Sequence, residues 1–356
     1  MSIPIRNLYY LLSYAWKNDW GYEWSSLNAD NCKDALDLTA RMLVRSSEML
    51  LRRGLDKGYR EISEEIHGVR GRIDIANTIK RNGLYSLSLT CVYEELSESV
   101  LHNQIIKTTL SRLLKTEGLE KKLRNDIYIL VRRMEHIEEV ELCNKIFSKV
   151  RIFSNIRQYR GPIHVCELIY DQLLPNETSG GYKVIKLPDL TLSAIFERFT
   201  YNFYEKHLDE TVYSQIKRDR IQWQDTQYLG GIDDLLPVMN TDVSLFNTTH
   251  KLVIECKFYE NALRGREYEE GLKSKDKFIS NHLYQIFSYL KNLSMDEDYV
   301  LSGLLLYPEN SIKINSTYIL HGHKVCMRTL DLDKSHTQIH ESMLEILYEF
   351  QRTSIN

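Results

Sequence analysis

Two short apolar runs, residues 242–246 and 252–258, constrain the fold of this chain more than any other feature of its sequence. Only Glu255 and Lys257 interrupt the second run, and the five residues between the runs have a length typical of a hairpin connection. Side chains on a strand alternate between faces, so Glu255 and Lys257 should point to one face and Cys256 to the other. Asp242 and Glu255 are about equally far from the turn. The pattern therefore predicts paired antiparallel strands with neighbouring carboxylates.

Two neighbouring carboxylates at Asp242 and Glu255 indicate a divalent metal site. Partly buried carboxylates repel each other unless a cation joins them, and Mg²⁺ prefers one or two carboxylates together with water and phosphate oxygens. The backbone carbonyl of Cys256 is a third candidate ligand. Lys257 would hold the attacking water or counter the charge that develops on a phosphodiester. The pattern favours nucleic-acid cleavage, while an edge strand with exposed Glu and Lys side chains is the alternative that the pattern alone leaves open.

Two further polar residues are candidates for the same site. Gln285 lies among apolar residues of a helix predicted over 279–293, where it would orient the water or a phosphate. An ordinary amide on the helix surface is an equally good interpretation of Gln285. Glu197, in a helix predicted over 192–207, could add a metal ligand, but an exposed surface glutamate is the favoured interpretation.

Three other motifs resemble parts of a metal site, but a structural role explains each of them better than metal binding does. Pro188 and Asp189 precede a helix and lie more than sixty residues from Glu255. Asp233 and Asp234 lie in a glycine-flanked stretch, where turn residues are common. His321 and His323 would alternate to the face opposite Cys326, which argues against shared ligation. The sequence also contains no GxxxxGK[ST] phosphate loop, so nucleotide hydrolysis by this chain alone is not expected.

Length, cysteine content and charge limit the broad class. The 356 residues predict two domains, and six scattered cysteines without a CxxC pair argue against a cysteine-based metal site or a disulfide framework. Neither a membrane span nor a secretory signal is predicted, so a cytoplasmic protein is expected. The formal net charge of −3 is unusual for a protein that grips DNA unaided. Residues 112–133 form a local exception with seven basic and three acidic residues, either a solvated helix face or a contact surface.

The alternation of helical and strand periodicity predicts an α+β N-terminal domain over residues 1–160 and a second domain over residues 161–356. In the second domain the predicted order α-β-β-β-α-β, followed by strands and a final helix, indicates a mixed sheet flanked by helices.

The whole chain resembles the McrC family, the nuclease subunits of McrBC modification-dependent restriction systems. The matching segments fall in family order and are PIRNLYYLLSYAW at 4–16, GRID at 71–74, TI at 78–79, NQIIKTTL at 103–110, TD at 241–242, IECKFY at 254–259, LYQ at 283–285 and GLLLYP at 303–308. The resemblance implies a C-terminal α/β PD-(D/E)xK restriction-endonuclease-like domain whose catalytic triad is Asp242, Glu255 and Lys257. Thr241 stands where the motif name has proline, and Glu255 provides the second acid.

The resemblance also implies partners. The N-terminal part of McrC-like proteins docks into a ring of McrB, an AAA+ GTPase, stimulates its hydrolysis and leaves recognition of methylated cytosine to it. The leading hypothesis is therefore a Mg²⁺-dependent endonuclease subunit that cuts methylated DNA only with its GTPase partner. The alternatives are a stand-alone DNA repair nuclease and a non-catalytic assembly or GTPase-activating subunit. Whether two complexes pair to cut both strands stays open.

Overall fold

The computed structural model describes residues 3–16, 32–80, 87–176, 181–230, 235–258, 263–264, 277–296, 299–310 and 312–352. The described residues fall into two compact units, one formed by residues 32–186 and the other by residues 3–16 together with the residues from Leu187 onward. No helix in these described ranges is long and apolar enough to cross a membrane.

The division between the units differs from the predicted boundary at residue 160 in two respects. Helix α1 (Ile5–Ala15) belongs to the C-terminal unit, because Asn7 donates hydrogen bonds to the carbonyls of Leu332 and Lys334 and Tyr14 packs against Phe199. At the other end, residues 160–186 stay with the N-terminal unit, whose core the helix Arg160–Gln172 helps to form. Contacts between residues that are distant in sequence determine to which unit each helix belongs. The local periodicity of the sequence contains no information on such contacts.

The N-terminal unit combines helices and strands, as predicted, and its strands form small antiparallel sheets. Its helices are α2 (Ala35–Arg53), α3 (Ile75–Lys80), α4 (Leu101–Leu114), α5 (Lys121–Arg133), α6 (Asn144–Lys149) and α7 (Arg160–Gln172). Its strands are β1 (Gly58–Ile66), β2 (Arg72–Ile73), β3 (Leu89–Ser97), β4 (Leu173–Asn176) and β5 (Gly181–Val184). The strands pair in the orders β1-β3-β2 and β4-β5. Strand β2 contains only Arg72 and Ile73, and Gly71, directly before it, adopts a φ of 66°.

The C-terminal unit contains one six-stranded mixed sheet, which confirms the predicted architecture. Its helices are α1, α8 (Asp189–His207), α9 (Ser280–Asp296) and α10 (His336–Arg352). Its strands are β6 (Gln215–Lys217), β7 (Arg220–Ile221), β8 (Met239–Asn240), β9 (Val243–Phe246), β10 (His250–Cys256), β11 (Leu263–Arg264), β12 (Lys277–Phe278), β13 (Val300–Pro308), β14 (Asn315–Leu320) and β15 (His323–Leu330). The sheet order is β14-β15-β13-β10-β9-β6, with β13 parallel to both β10 and β15. The two-stranded ribbons β7-β8 and β11-β12 were not predicted.

Helices cover both faces of the sheet around its central strand β10. On one face Val253 packs in a core with Ile286 and Leu290 of α9. On the other face α8 packs against β10, and the rings of Phe196 and Phe258 are 5.9 Å apart. Because β10 is covered on both sides, a charged side chain on this strand needs a partner or a function.

Candidate active site

The strand pair predicted from the two apolar runs is present, and its register brings the two acidic residues together. Strand β10 pairs antiparallel with β9, and the last residue pair of the ladder is Ile254 with Val243. One step further along the same register, Glu255 lies opposite Asp242. The connecting loop is shorter than expected, residues 247–249, because β10 already begins at His250. In this loop the Asn247 side chain accepts hydrogen bonds from the N–H groups of Thr249 and His250.

Asp242 is held directly against the strand that carries Glu255. The backbone N–H of Cys256 donates to Oδ2 of Asp242 at 2.7 Å. Burial raises the pKa of Asp242 to about 7, and the nearby charges of Glu255 and Glu197 contribute to the rise. A carboxyl group with such a pKa is poorly solvated as an anion, and a bound cation would favour its ionised form.

Glu255, Lys257 and Gln285 form a triangle of hydrogen bonds. The Lys257 ammonium donates to Oε1 of Glu255 and to Oε1 of Gln285, at 2.8 Å in each case. Nε2 of Gln285 donates to the same Oε1 of Glu255 at 2.7 Å. The Glu255 side chain is 4% exposed and that of Lys257 is 14% exposed, so an exposed edge strand does not describe these residues.

Glu255 keeps one oxygen without a hydrogen-bond partner. Its Oε1 accepts the two bonds just described, whereas its Oε2 is buried and has no hydrogen-bond partner within the described chain. Burial raises the pKa of Glu255, and the ammonium of Lys257 offsets this rise only in part. An unpartnered buried carboxylate oxygen is costly, and a metal ion would supply the missing interaction.

Tyr289 and Asn240, which the sequence did not indicate as site residues, hold the Gln285 side chain in place. Nε2 of Gln285 also donates to the hydroxyl of Tyr289 at 2.7 Å, and that hydroxyl donates to the carbonyl of Asn240 at 2.9 Å. Asn240 lies two residues before Asp242. The spacing Gln285-x-x-x-Tyr289 puts both side chains on one face of α9, which is the sequence signal that could have identified Tyr289.

Glu197 is half-buried, in contrast to the exposed position favoured from the sequence. Its charge contributes to the raised pKa values of both Asp242 and Glu255, so it lies near the pair. The hydroxyl of Ser193 donates to Oε1 of Glu197 at 3.2 Å. Helix α8 therefore brings a third carboxylate towards the site.

The donor set fits magnesium better than a transition metal. No three His, Cys, Asp or Glu side chains within the described ranges are close enough to hold a metal ion by themselves. The Cys256 thiol points to the α8 face of the sheet, where it interacts with Thr200. The backbone carbonyl is therefore the only group of Cys256 that is a candidate metal ligand. Two carboxylates and a carbonyl, completed by water, form a set of oxygen ligands that suits Mg²⁺.

Two of the three motifs set aside in the sequence lie in the described residues. Asp189 is the first residue of α8, directly after Pro188. His321 lies in the turn between β14 and β15, and the Cys326 thiol contacts the Thr317 hydroxyl at 3.4 Å. Asp233 and Asp234 lie outside the described residues.

Comparison with known proteins identifies relatives along nearly the whole chain. Residues 5–308 match the model of a family described as "McrBC 5-methylcytosine restriction system component". The chain is 29% identical over 350 residues to the Type IV methyl-directed restriction enzyme EcoKMcrBC of Escherichia coli (strain K12), covering 98% of each chain. A solved half-complex from a tetradecameric assembly of Thermococcus gammatolerans McrB AAA+ hexamers with bound McrC contains a chain of similar fold. The TM-score is 0.54 at 14% identity, over 98% of this chain and 76% of that chain.

The family match spans both compact units and includes every residue of the candidate site. It confirms the resemblance that the sequence segments indicated. This chain belongs to the family of McrBC 5-methylcytosine restriction system components.

Proposed function

We propose that this chain is the endonuclease subunit of a modification-dependent restriction complex and that its C-terminal unit has the PD-(D/E)xK nuclease fold. In this proposal Asp242 and Glu255 bind Mg²⁺, together with the carbonyl of Cys256. The observation that carries the proposal is the pair of buried carboxylates on adjacent strands beside Lys257, with Oε2 of Glu255 buried and unpartnered. The family membership and the fold similarity support the same assignment.

The residues have separate roles in phosphodiester hydrolysis. When bound, Mg²⁺ supplies Lewis acidity and lowers the pKa of a water molecule. Asp242 and Glu255 hold their carboxylates in a fixed arrangement, since the Cys256 N–H restrains the first and Gln285 the second. Lys257 presents an ammonium that counters the negative charge of the phosphorane-like transition state. Gln285 orients Lys257 through a hydrogen bond of 2.8 Å and is a positioning residue.

An AAA+ GTPase ring is the proposed partner. The similar solved chain belongs to an assembly described as McrB AAA+ hexamers with bound McrC, and the related E. coli enzyme is described as methyl-directed. By analogy, the N-terminal unit docks on a McrB-like ring, stimulates GTP hydrolysis and receives methylated DNA through it. The net charge of −3 supports this division, because a ring partner would supply the DNA affinity that this chain's charge does not.

The test is cleavage of cytosine-methylated DNA by the chain reconstituted with a McrB-like ring, GTP and Mg²⁺. We expect Lys257→Ala to slow cleavage by about a hundredfold or more, as removal of a transition-state-stabilising donor does. Lys313→Ala, which removes an exposed lysine of the same unit, is the matched control and should cut normally. Unimpaired cutting by Lys257→Ala would remove the assigned site.

The same reconstitution separates the two alternative functions. Robust cutting by this chain without the ring or GTP would indicate a stand-alone nuclease. Stimulation of the ring's GTPase without any cleavage, under conditions where methylated DNA is bound, would indicate a non-catalytic assembly subunit.

A further inference from the structure

Lys251 is a fully buried lysine in β10, the strand that carries Glu255 and that Lys257 directly follows. Its side chain is 0% exposed, and its ammonium lies 3.1 Å from Oδ2 of Asp219, in an ionic contact. The rings of Phe246 and Tyr299 are each 5.7 Å from this ammonium. The other oxygen of Asp219, Oδ1, contacts the ammonium of Lys217 at 2.9 Å.

Stability alone does not explain a buried ion pair at this place. Replacing such a pair with apolar residues of similar size is often neutral or stabilising, because desolvation of the charges is costly. The neighbouring positions Leu252 and Val253 are apolar and completely buried, so an aliphatic side chain would suit the sheet here. The ion pair is better explained if it fixes a specific arrangement of the surrounding backbone.

Asp219 is bonded to the residue that directly precedes Asp242. Its backbone N–H donates to the hydroxyl of Thr241 at 2.9 Å, and its carbonyl accepts from the N–H of Thr241 at 3.1 Å. The Thr241 hydroxyl is also 3.0 Å from the Ser244 hydroxyl, at the start of β9. Both backbone groups of Asp219 are thus used to hold Thr241.

These contacts connect the backbone segments of Asp242 and Glu255 in addition to the direct hydrogen bond from the Cys256 N–H to Asp242. One end of this connection is Lys251, four residues before Glu255 on β10, and the other end is Thr241, one residue before Asp242. The β9-β10 ladder stops at Val243, so Asp242 itself lies beyond its regular hydrogen bonds. We propose that the Asp219–Lys251 ion pair is a positioning device that sets the separation of the Asp242 and Glu255 carboxylates for metal binding. This inference rests on the proposed function.

The test measures metal binding by the full-length chain alone, using Mn²⁺ and its electron paramagnetic resonance signal. We expect Lys251→Met, which keeps the length of the side chain and removes its charge, to raise the Kd for Mn²⁺ by about tenfold, the lower end of the effect of outer-shell partners. The matched control is Arg328→Met, because Arg328 on strand β15 is also a buried cation of this unit and pairs with Glu349, which does not belong to the candidate site. The control should lose thermal stability and bind Mn²⁺ as the wild type does.

A second variant keeps the inference testable if Lys251→Met does not fold. The double variant Asp219→Asn, Lys251→Met leaves no unpaired charge from this pair and should show the same loss of Mn²⁺ affinity. In reconstituted complexes, both variants should need about tenfold more Mg²⁺ for half-maximal cleavage and should stimulate the ring's GTPase normally.

The outcomes distinguish this inference from the proposed function. Wild-type Mn²⁺ affinity in a folded Lys251→Met or double variant, with Asp242→Asn unable to bind, would overturn only the positioning role. Equal losses in Lys251→Met and Arg328→Met would also overturn it. A wild-type chain that binds no Mn²⁺, or an Asp242→Asn variant that binds it fully, would overturn the metal site and the positioning role together.

Discussion

At the scale of single residues, the buried Asp242 carboxylate destabilises the metal-free folded protein when it is ionised. Its pKa is raised from 3.8 to about 7, first by burial and then by the charges of Glu255 and Glu197. Between these two values the folded protein holds a proton that the unfolded chain releases. Stability without metal should therefore fall as the pH rises from about 4 to about 7, since the native state binds more protons there.

The prediction is that Asp242→Asn stabilises the metal-free protein at pH 8 and not at pH 4. The amide can still accept the hydrogen bond from the Cys256 N–H but has no charge to desolvate. We expect the free energy of unfolding at pH 8 to increase by roughly 4 kcal/mol at most, at about 1.4 kcal/mol per pKa unit. Denaturant unfolding in the presence of EDTA at the two pH values measures the difference.

Magnesium provides the control for this prediction. Added Mg²⁺ should raise the unfolding free energy of the wild type at pH 8 and leave that of Asp242→Asn nearly unchanged, because binding to the native state alone is stabilising. An Asp242→Asn variant with the same pH dependence as the wild type would show that the Asp242 carboxyl does not titrate as described.

At the scale of elements, a glycine in β13 determines how closely helix α9 approaches the sheet. A Cβ atom on Gly303 would lie 2.8 Å from Cγ1 of Ile286 and 3.1 Å from Cδ1 of Leu290. Both of these residues belong to α9, which also carries Gln285 and Tyr289. The close packing of this helix is thus a condition for the hydrogen bonds between Gln285 and Glu255.

We predict that Gly303→Ala displaces α9 and impairs the site as well as stability. Overpacking of this kind costs about 1–3 kcal/mol of unfolding free energy. Cleavage by the reconstituted complex should fall by about tenfold, because a small misplacement of positioning groups has large effects on rate. Thermal unfolding and cleavage assays on the same preparations measure the two effects.

Leu347→Ala is the control, since Leu347 is completely buried in α10 and does not belong to the site. It should lose about 2–5 kcal/mol of stability. Its cleavage rate, measured below its unfolding transition, should stay close to that of the wild type. Equal rate losses in the two variants would indicate that general instability, and not the position of α9, limits cleavage.

The elements also show which parts of the fold were predictable from sequence. Alternation on β10 correctly separated Glu255 and Lys257 from Cys256, because a two-residue period needs no knowledge of distant contacts. The position of Glu197 was not predictable, since it depends on how α8 packs against the sheet. The contribution of Asp219 was missed for the same reason: its partner Lys251 is 32 residues further along the chain.

At the scale of the whole molecule, the residues of the candidate site all lie in the C-terminal unit, in the part of it from Leu187 onward. The N-terminal unit has its own core, formed by α2, α4 and α7, and its own small sheets. If this unit docks on the ring, as proposed, then activation of the partner and cleavage of DNA depend on separate sets of residues.

The last prediction is that changes at the site abolish cleavage and leave stimulation of the partner intact. In the reconstituted complex, Glu255→Gln should reduce DNA cleavage by about a hundredfold or more, because it removes the charge of one of the two carboxylates proposed to bind the metal. GTP hydrolysis by the ring should rise as much with Glu255→Gln as with the wild-type chain. Phosphate release and cleavage, followed in the same reaction, give both values. A parallel loss of GTPase stimulation in a folded Glu255→Gln variant would mean that the acidic site itself takes part in activating the ring.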